Sequence, residues 1–271
     1  MKKRLWLITL MLSSVLVLLS GSVLADPVPV ARIGATEYVT LDEAMTNAEE
    51  GATIEILADC TTLGFNLSKT LTIKGAEGLS KLPTITFEEY GIALWGKSLT
   101  FKNCNVVMNG IGSTPYTAEW NWMSICASIN ASLTLDHVTM TMDATGVANS
   151  PHAIYFCNNN QLNLTNGSVL SISNYPNDAL EWDGGNGGYN VNITDSTFIS
   201  DHNRSGFTGT FIASFNNSNV MSTEQTPVFF AAPKYPAMLS KLAKGRTESY
   251  GDSARGPTWQ SHEQRFPAAL Q

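Results

Sequence analysis

Leu71-Thr72-Ile73, Leu99-Thr100-Phe101, Leu133-Thr134-Leu135, Leu162-Asn163-Leu164 and Val191-Asn192-Ile193 repeat one phrase, two apolar residues straddling a small polar one. Asn219-Val220 reads as its shortened last copy. Counted between leading apolar positions, the spacings are 28, 34, 29, 29 and 29 residues. Alternation of this kind marks a short β-strand with one buried face. Recurrence at a fixed period of roughly 20–50 residues marks stacked units, because one such unit cannot bury its apolar face without neighbours.

Two further strands come into register around the phrase. Upstream lie Ile92–Trp95, Met123–Cys126, Ala153–Phe156, Ala179–Trp182 and Thr210–Ala213; downstream lie Val106–Met108, Met140–Met142, Val169–Ile172 and Phe198-Ile199. Asn, Gly, Ser and Asp separate them, and no intervening stretch is long or amphipathic enough for a helix. An antiparallel sandwich also has many short strands, but it does not require matching strands in matching order. Three strands per turn predict an all-β parallel solenoid of about six coils over residues 71–220. Asn103, His137, Asn166 and Asp195 each stand four residues past the leading apolar position, where polar side chains tolerate left-handed backbone.

The flanks differ from the array. Lys2, Lys3 and Arg4 precede an apolar run from Leu5 to Leu19, and Val23-Leu24-Ala25 precedes Asp26. That order predicts a secretory signal over residues 1–25, cut after Ala25, and hence an extracellular or cell-surface protein. A retained anchor is the competing reading, for which the run is short. Residues 26–70 are expected to form a cap and first strands: Thr40-Leu41-Asp42-Glu43 is a capping-box pattern, and Leu41, Ala44, Met45 and Ala48 form a helical apolar stripe ending before Gly51. Such a helix covers a strand edge that would otherwise be open. Residues 221–271 hold five prolines and lose the phrase, and are expected to be an irregular or disordered tail.

Without the signal the chain carries 13 Lys+Arg against 23 Asp+Glu, a formal charge of −10. That balance argues against nucleic acid or an anionic membrane as partner. Cys60, Cys104, Cys126 and Cys157 lack Cys-x-x-Cys spacing and are expected as buried thiols ahead of disulfides. No cofactor or metal is expected; Asp183-Gly184-Gly185-Asn186-Gly187-Gly188 lacks the acidic spacing of a calcium loop.

The run from Val30 to Tyr38, then Thr40 to Ala44, Gly51 to Asp59 and Leu71-Thr72-Ile73-Lys74-Gly75, resembles the start of secreted right-handed parallel β-helix proteins of anaerobic gut Gram-positive bacteria, within the pectate-lyase-like superfamily. The resemblance covers about residues 28–220 and implies a right-handed β-helix at the cell surface. Active members of that superfamily are mostly polysaccharide lyases and hydrolases. The hydrolase signatures Asn-Thr-Asp, Asp-Asp, Gly-His-Gly and Arg-Ile-Lys do not occur in the chain, and Arg204 alone does not reproduce the lyase site.

Equivalent positions of successive coils line up, so the turns before the first strands form one stripe. It brings together Glu119, Trp120 and Trp122, then His152, then Asp178 with Glu181, then Asp201, His202 and Arg204. Aromatic rings suit sugar faces, and a carboxylate pair suits acid–base work on a glycosidic bond. Tyr116, Trp120 and Trp122 fall in the 34-residue unit, whose extra length projects as a loop; loops of this kind often bind. Solvated turns and core aromatics are the plainer reading of the same residues. The sequence thus suggests a binding or structural module, with a polysaccharide or surface glycan as partner. Tyr116, Trp120, Trp122, His152, His202 and Arg204 are its candidate contacts; a lyase or hydrolase using Asp178, Glu181 and Asp201 is the alternative.

Overall fold

A computed structural model describes residues 27–114, 123–128, 130–147, 152–156, 159–176, 179–182, 189–200, 211–216 and 219–222. The signal and tail regions, together with Cys157, therefore lie outside the described residues.

The described part is all-β apart from one helix. A hairpin, β1 (Ala31–Ile33) and β2 (Thr36–Tyr38), leads into α1 (Leu41–Asn47). Thr40 N-caps this helix, supplying the threonine half of the capping box: its Oγ1 accepts from the Glu43 amide at 3.1 Å, and Leu41 and Ala44 are buried beneath it. Lys69 closes the other end by donating Nζ to the Thr46 and Ala48 carbonyls.

The phrase forms β6 (Leu71–Gly75), the first half of β9 (Ser98–Asn109), the first half of β11 (Ser132–Asp143), β13 (Asn160–Thr165) and β16 (Tyr189–Thr194). These pair in parallel in the expected register, with Leu71 opposite Leu99, Leu99 opposite Leu133, Leu133 opposite Leu162 and Leu162 opposite Val191. The apolar residues of every copy are buried and their polar partners half-exposed. Burying each such side chain contributes on the order of 1.5–3 kcal/mol, which a lone unit could not collect. The parallel ladder reaches further toward the N-terminus than Leu71, because β3 (Thr53–Ile56) pairs with β6, placing Ile54 opposite Ile73.

The downstream strands are β4 (Cys60–Thr62), β7 (Thr84–Phe87), the second halves of β9 and β11, β14 (Val169–Ser173) and β17 (Thr197–Ser200). They pair with Met140 opposite both Val106 and Leu170. Middle and downstream strands join into one 14-stranded sheet. The join is made at Asn103, His137, Asn166 and Asp195, which take φ of 49°, 55°, 56° and 49°. One left-handed residue turns the chain; in β9 and β11 the strand continues through the bend. Two sheets therefore stand where one sheet per strand type would have given three.

The upstream strands form the second sheet: β5 (Phe65–Leu67), β8 (Ile92–Leu94), β10 (Met123–Ala127), β12 (His152–Phe156) and β15 (Leu180–Trp182). Its register sets Ile125 opposite both Ile92 and Ile154, one residue away from a simple alignment of Met123 with Ala153.

The last coil corrects the sequence reading. β18 (Phe211–Asn216) pairs with β16, placing Ala213 opposite Val191 and Phe215 opposite Ile193. β19 (Asn219–Ser222) pairs with β17, placing Val220 opposite Phe198. Thus Ala213-Ser214-Phe215 is the sixth phrase, Val220 belongs to a downstream strand, and Thr210–Ala213 does not supply an upstream strand. The step from Val191 to Ala213 is 22 residues. The interval from phrase to downstream strand decides the matter: it is seven residues from Val191 to Phe198 and again seven from Ala213 to Val220.

Candidate binding face

The central strands of the five-stranded sheet, β8, β10 and β12 from Ala153 on, are buried on both sides, whereas Asn66 of β5 is exposed. The alternation sends Ile92, Leu94, Ile125, Ala127, Ile154 and Phe156 to one face and Ala93, Cys126 and Tyr155 to the other. On the second face Cys126 and Tyr155 pack with Met123, and the half-buried Trp95 lies against them. Tyr155 is 2% exposed and Cys126 1%, so this cluster is core, and Trp95 is its half-buried edge.

Two of the expected site residues take their places on this sheet. His152 opens β12, half-buried, with its backbone opposite Met123. Glu181 lies in β15, with its backbone opposite Tyr155. The register puts these two positions on adjacent strands, three residues apart along the strand, roughly 10 Å. Tyr116, Trp120, Trp122, Asp178, Asp201, His202 and Arg204 lie outside the described residues. Tyr155 sits mid-strand, reads as core and is core, 2% exposed.

Beside this sheet is a buried polar knot. Ser124, in β10, donates its hydroxyl to the Ile111 carbonyl. Tyr175 is 1% exposed, and its hydroxyl lies 2.7 Å from Ser124 Oγ and 3.2 Å from Ile111 O. Burial pushes the Tyr175 phenol above its ordinary pKa, against the Ser124 hydrogen bond, so it stays a proton donor. The Gly91 amide donates to Ser113 O at 2.8 Å, holding the same stretch to the start of β8.

The turn positions form a polar ladder on the large sheet. Asp136 accepts from Lys102 Nζ and from Asn166 Nδ2, and His137 Nδ1 stands 3.0 Å from Asn103 Oδ1. Partial burial opposes ionisation of Asp136, but the Asn166 and Lys102 hydrogen bonds outweigh it and hold the carboxyl below its ordinary value. These contacts link neighbouring coils and consume the charges they involve, so the ladder is structural.

Cys60 and Cys104 carry free thiols, each pushed up to about 12; burial is the main cause, with Asp42 and Asp59 adding to it at Cys60. They are not nucleophiles at neutral pH. An open groove of about 510 Å³ between α1 and β5 is lined by Asp42, Met45, Phe65 and Lys69. Its two charged groups are engaged: Asp42 Oδ1 accepts from Thr62 Oγ1, and Lys69 closes the helix. Among the described residues no cluster of three or more His, Cys, Asp or Glu could hold a metal ion, and no helix is long and apolar enough to cross a membrane.

In comparisons with known proteins, no family model, curated protein or solved structure matches the chain.

Proposed function

We propose that the parallel array is a right-handed β-helix and that the chain works outside the cell as a binding or structural module whose partner is a glycan. The coil is supported by the ladder of like residues one unit apart and by the left-handed residue between middle and downstream strands, and its right hand by the general preference of parallel crossovers. The secreted address rests on the signal pattern of residues 1–25.

One observation carries the binding reading. The 34-residue unit, which brings Tyr116, Trp120 and Trp122 into the chain, is the longest interval of the phrase and leads directly into β10 of the five-stranded sheet. Aromatic residues concentrated at one unit of an otherwise repetitive scaffold suit sugar recognition.

A glycan array, run together with assays for reducing ends and unsaturated products, tests the reading. The expected result is binding without turnover, lost in Trp120→Ala. Turnover would overturn the binding-only reading in favour of a lyase or hydrolase, and would direct mutagenesis to Asp178, Glu181 and Asp201.

A further inference from the structure

The N-terminal end of the array closes the middle and downstream strand stacks and leaves the upstream one open. The middle stack runs on from β3 into the β1–β2 hairpin, and α1 packs against β1, β2, β3 and β4. β5 ends the five-stranded sheet: it pairs with β8 on one side and with no described strand on the other. Beside it lies the groove of about 510 Å³, walled on one side by residues 63–69 and on the other by Asp42, Met45 and Thr46 of α1.

The hydrogen bonding of β5 shows what that edge lacks. Alternate residues of a parallel strand turn both backbone groups to the same neighbour. The Phe65 amide donates to Gly91 O at 3.1 Å, on the β8 side, so the N–H and C=O of Asn66 point to the open side. Among the described residues neither has a partner there. The Gly64 amide, one outward position earlier, is already taken by Thr62 Oγ1 at 3.2 Å. Such an edge is a template for another extended backbone, which supplies donors and acceptors at the ladder spacing.

The surroundings set the chemistry of the occupant. An added strand sets alternate side chains over the buried Phe65 and Leu67, beside Met45, and the others over the exposed Asn66 and Ser68. The first set must be apolar. Charge decides the second: Asp42 and Glu43 on α1 form no ion pair among the described residues, nor does Glu88, whose amide bonds Thr62 O. Lys69 gives its ammonium protons to the Thr46 and Ala48 carbonyls. The excess carboxylates favour a basic segment.

We propose that the open edge of β5 and the facing wall of α1 receive an extended segment of a partner protein, added as one more strand, in which apolar residues alternate with lysine or arginine. This surface is separate from the glycan reading and does not depend on it.

The test titrates the full chain with acetyl-Val-Lys-Val-Lys-Val-amide and with its glutamate counterpart, acetyl-Val-Glu-Val-Glu-Val-amide, by calorimetry up to about 1 mM. Asn66→Pro removes the outward N–H without costing an internal hydrogen bond, so its melting temperature should equal that of wild type. Asn66→Ala keeps the N–H. The lysine peptide is expected to bind wild type and Asn66→Ala alike, with at least about tenfold weaker affinity for Asn66→Pro, and the glutamate peptide to bind at least about tenfold more weakly. Hydrogen exchange of the Asn66 amide in wild type, slowed about tenfold or more by saturating lysine peptide, locates the contact without any variant. No binding of the lysine peptide, equal binding by Asn66→Pro, or unslowed exchange at Asn66 overturns the proposal. Equal affinity for the two peptides overturns the basic partner. Sedimentation showing a dimer that Asn66→Pro abolishes overturns it in favour of a second copy of the chain.

Discussion

Gly91 presents the sharpest steric demand among the described glycines. Its backbone needs no unusual φ; the constraint is space, since a Cβ built on it would stand 1.7 Å from the Ser124 carbonyl oxygen and 3.0 Å from Met108 Cε. Real Cβ atoms keep at least 3.0 Å, so Gly91→Ala must part β8 from β10 by about 1.3 Å. Met108 can swing away, but a backbone oxygen inside a parallel ladder cannot. Gly91 also donates to Ser113 O and accepts from the Phe65 amide at 3.1 Å, and a shift of that size weakens both bonds. Overpacking costs roughly 1–3 kcal/mol and each weakened hydrogen bond about 1 kcal/mol, which places the loss at about 3–5 kcal/mol. For a domain of this size that lowers the melting temperature by roughly 6–20 °C. Gly110→Ala is the matched control: Gly110 has φ of 71° with nothing within 4 Å of the added carbon, so only left-handed strain of about 1–2 kcal/mol applies. Thermal melts followed by circular dichroism compare the pair. Equal losses would refute the steric argument and the close approach of β8 and β10 behind it.

Two further outcomes follow from ionisation and burial. Asp136 is held below its ordinary carboxyl value in the folded state, so its contribution is fully present above about pH 4 and is lost as pH falls through the folded value. Wild type should therefore lose more stability between pH 7 and pH 3 than Asp136→Asn does; urea midpoints showing the same pH slope for both would contradict the Lys102–Asp136–Asn166 ladder. Cys60 and Cys104, with thiols pushed up to about 12, should react with a disulfide reagent at pH 8 only after denaturant is added. Prompt reaction of either in the native chain, followed by mass mapping, would show that its burial is wrong.

The phrase made the large sheet legible because its signal is local and repeated: Leu99, Leu133 and Leu162 occupy the same register in sequence and in the ladder. The left-handed corners were legible for a similar reason, since Asn103, Asn166 and Asp195 are residue types that accept positive φ and His137 keeps their spacing. The merging of middle and downstream strands was not, because one left-handed residue turns a chain without ending its hydrogen bonding. Nor was the last coil. Ala213-Ser214-Phe215 has a weak leading residue, so counting by period favoured Val220, and only backbone pairing shows that the coil is seven residues short. Core aromatics were the plainer reading, and Trp95 and Tyr155 follow it: Tyr155 is core and Trp95 packs half-buried against it, since in the central strands of the five-stranded sheet both faces are covered.

A ladder of like residues has a consequence for where specificity arises. Thr72, Thr100 and Thr134 stand opposite one another in successive units, and Asn163 and Asn192 continue the row with amide-to-side-chain bonds of 3.1 and 2.9 Å. Each position on such a face offers what its neighbours offer, so the row fixes the rise of the array without singling out one place along it. Selection needs a unit unlike the others. The 34-residue unit is the longest interval of the phrase, and buried hydroxyls of Ser124 and Tyr175 tie the Ile111 backbone to β10. Gly91 belongs to the same arrangement, since its missing side chain lets the Ser124 backbone approach while its amide holds Ser113. The steric fit at Gly91 and the hydroxyl knot at Ser124 are thus two supports of one junction, where the start of β8, the Ile111–Ser113 backbone and β10 meet.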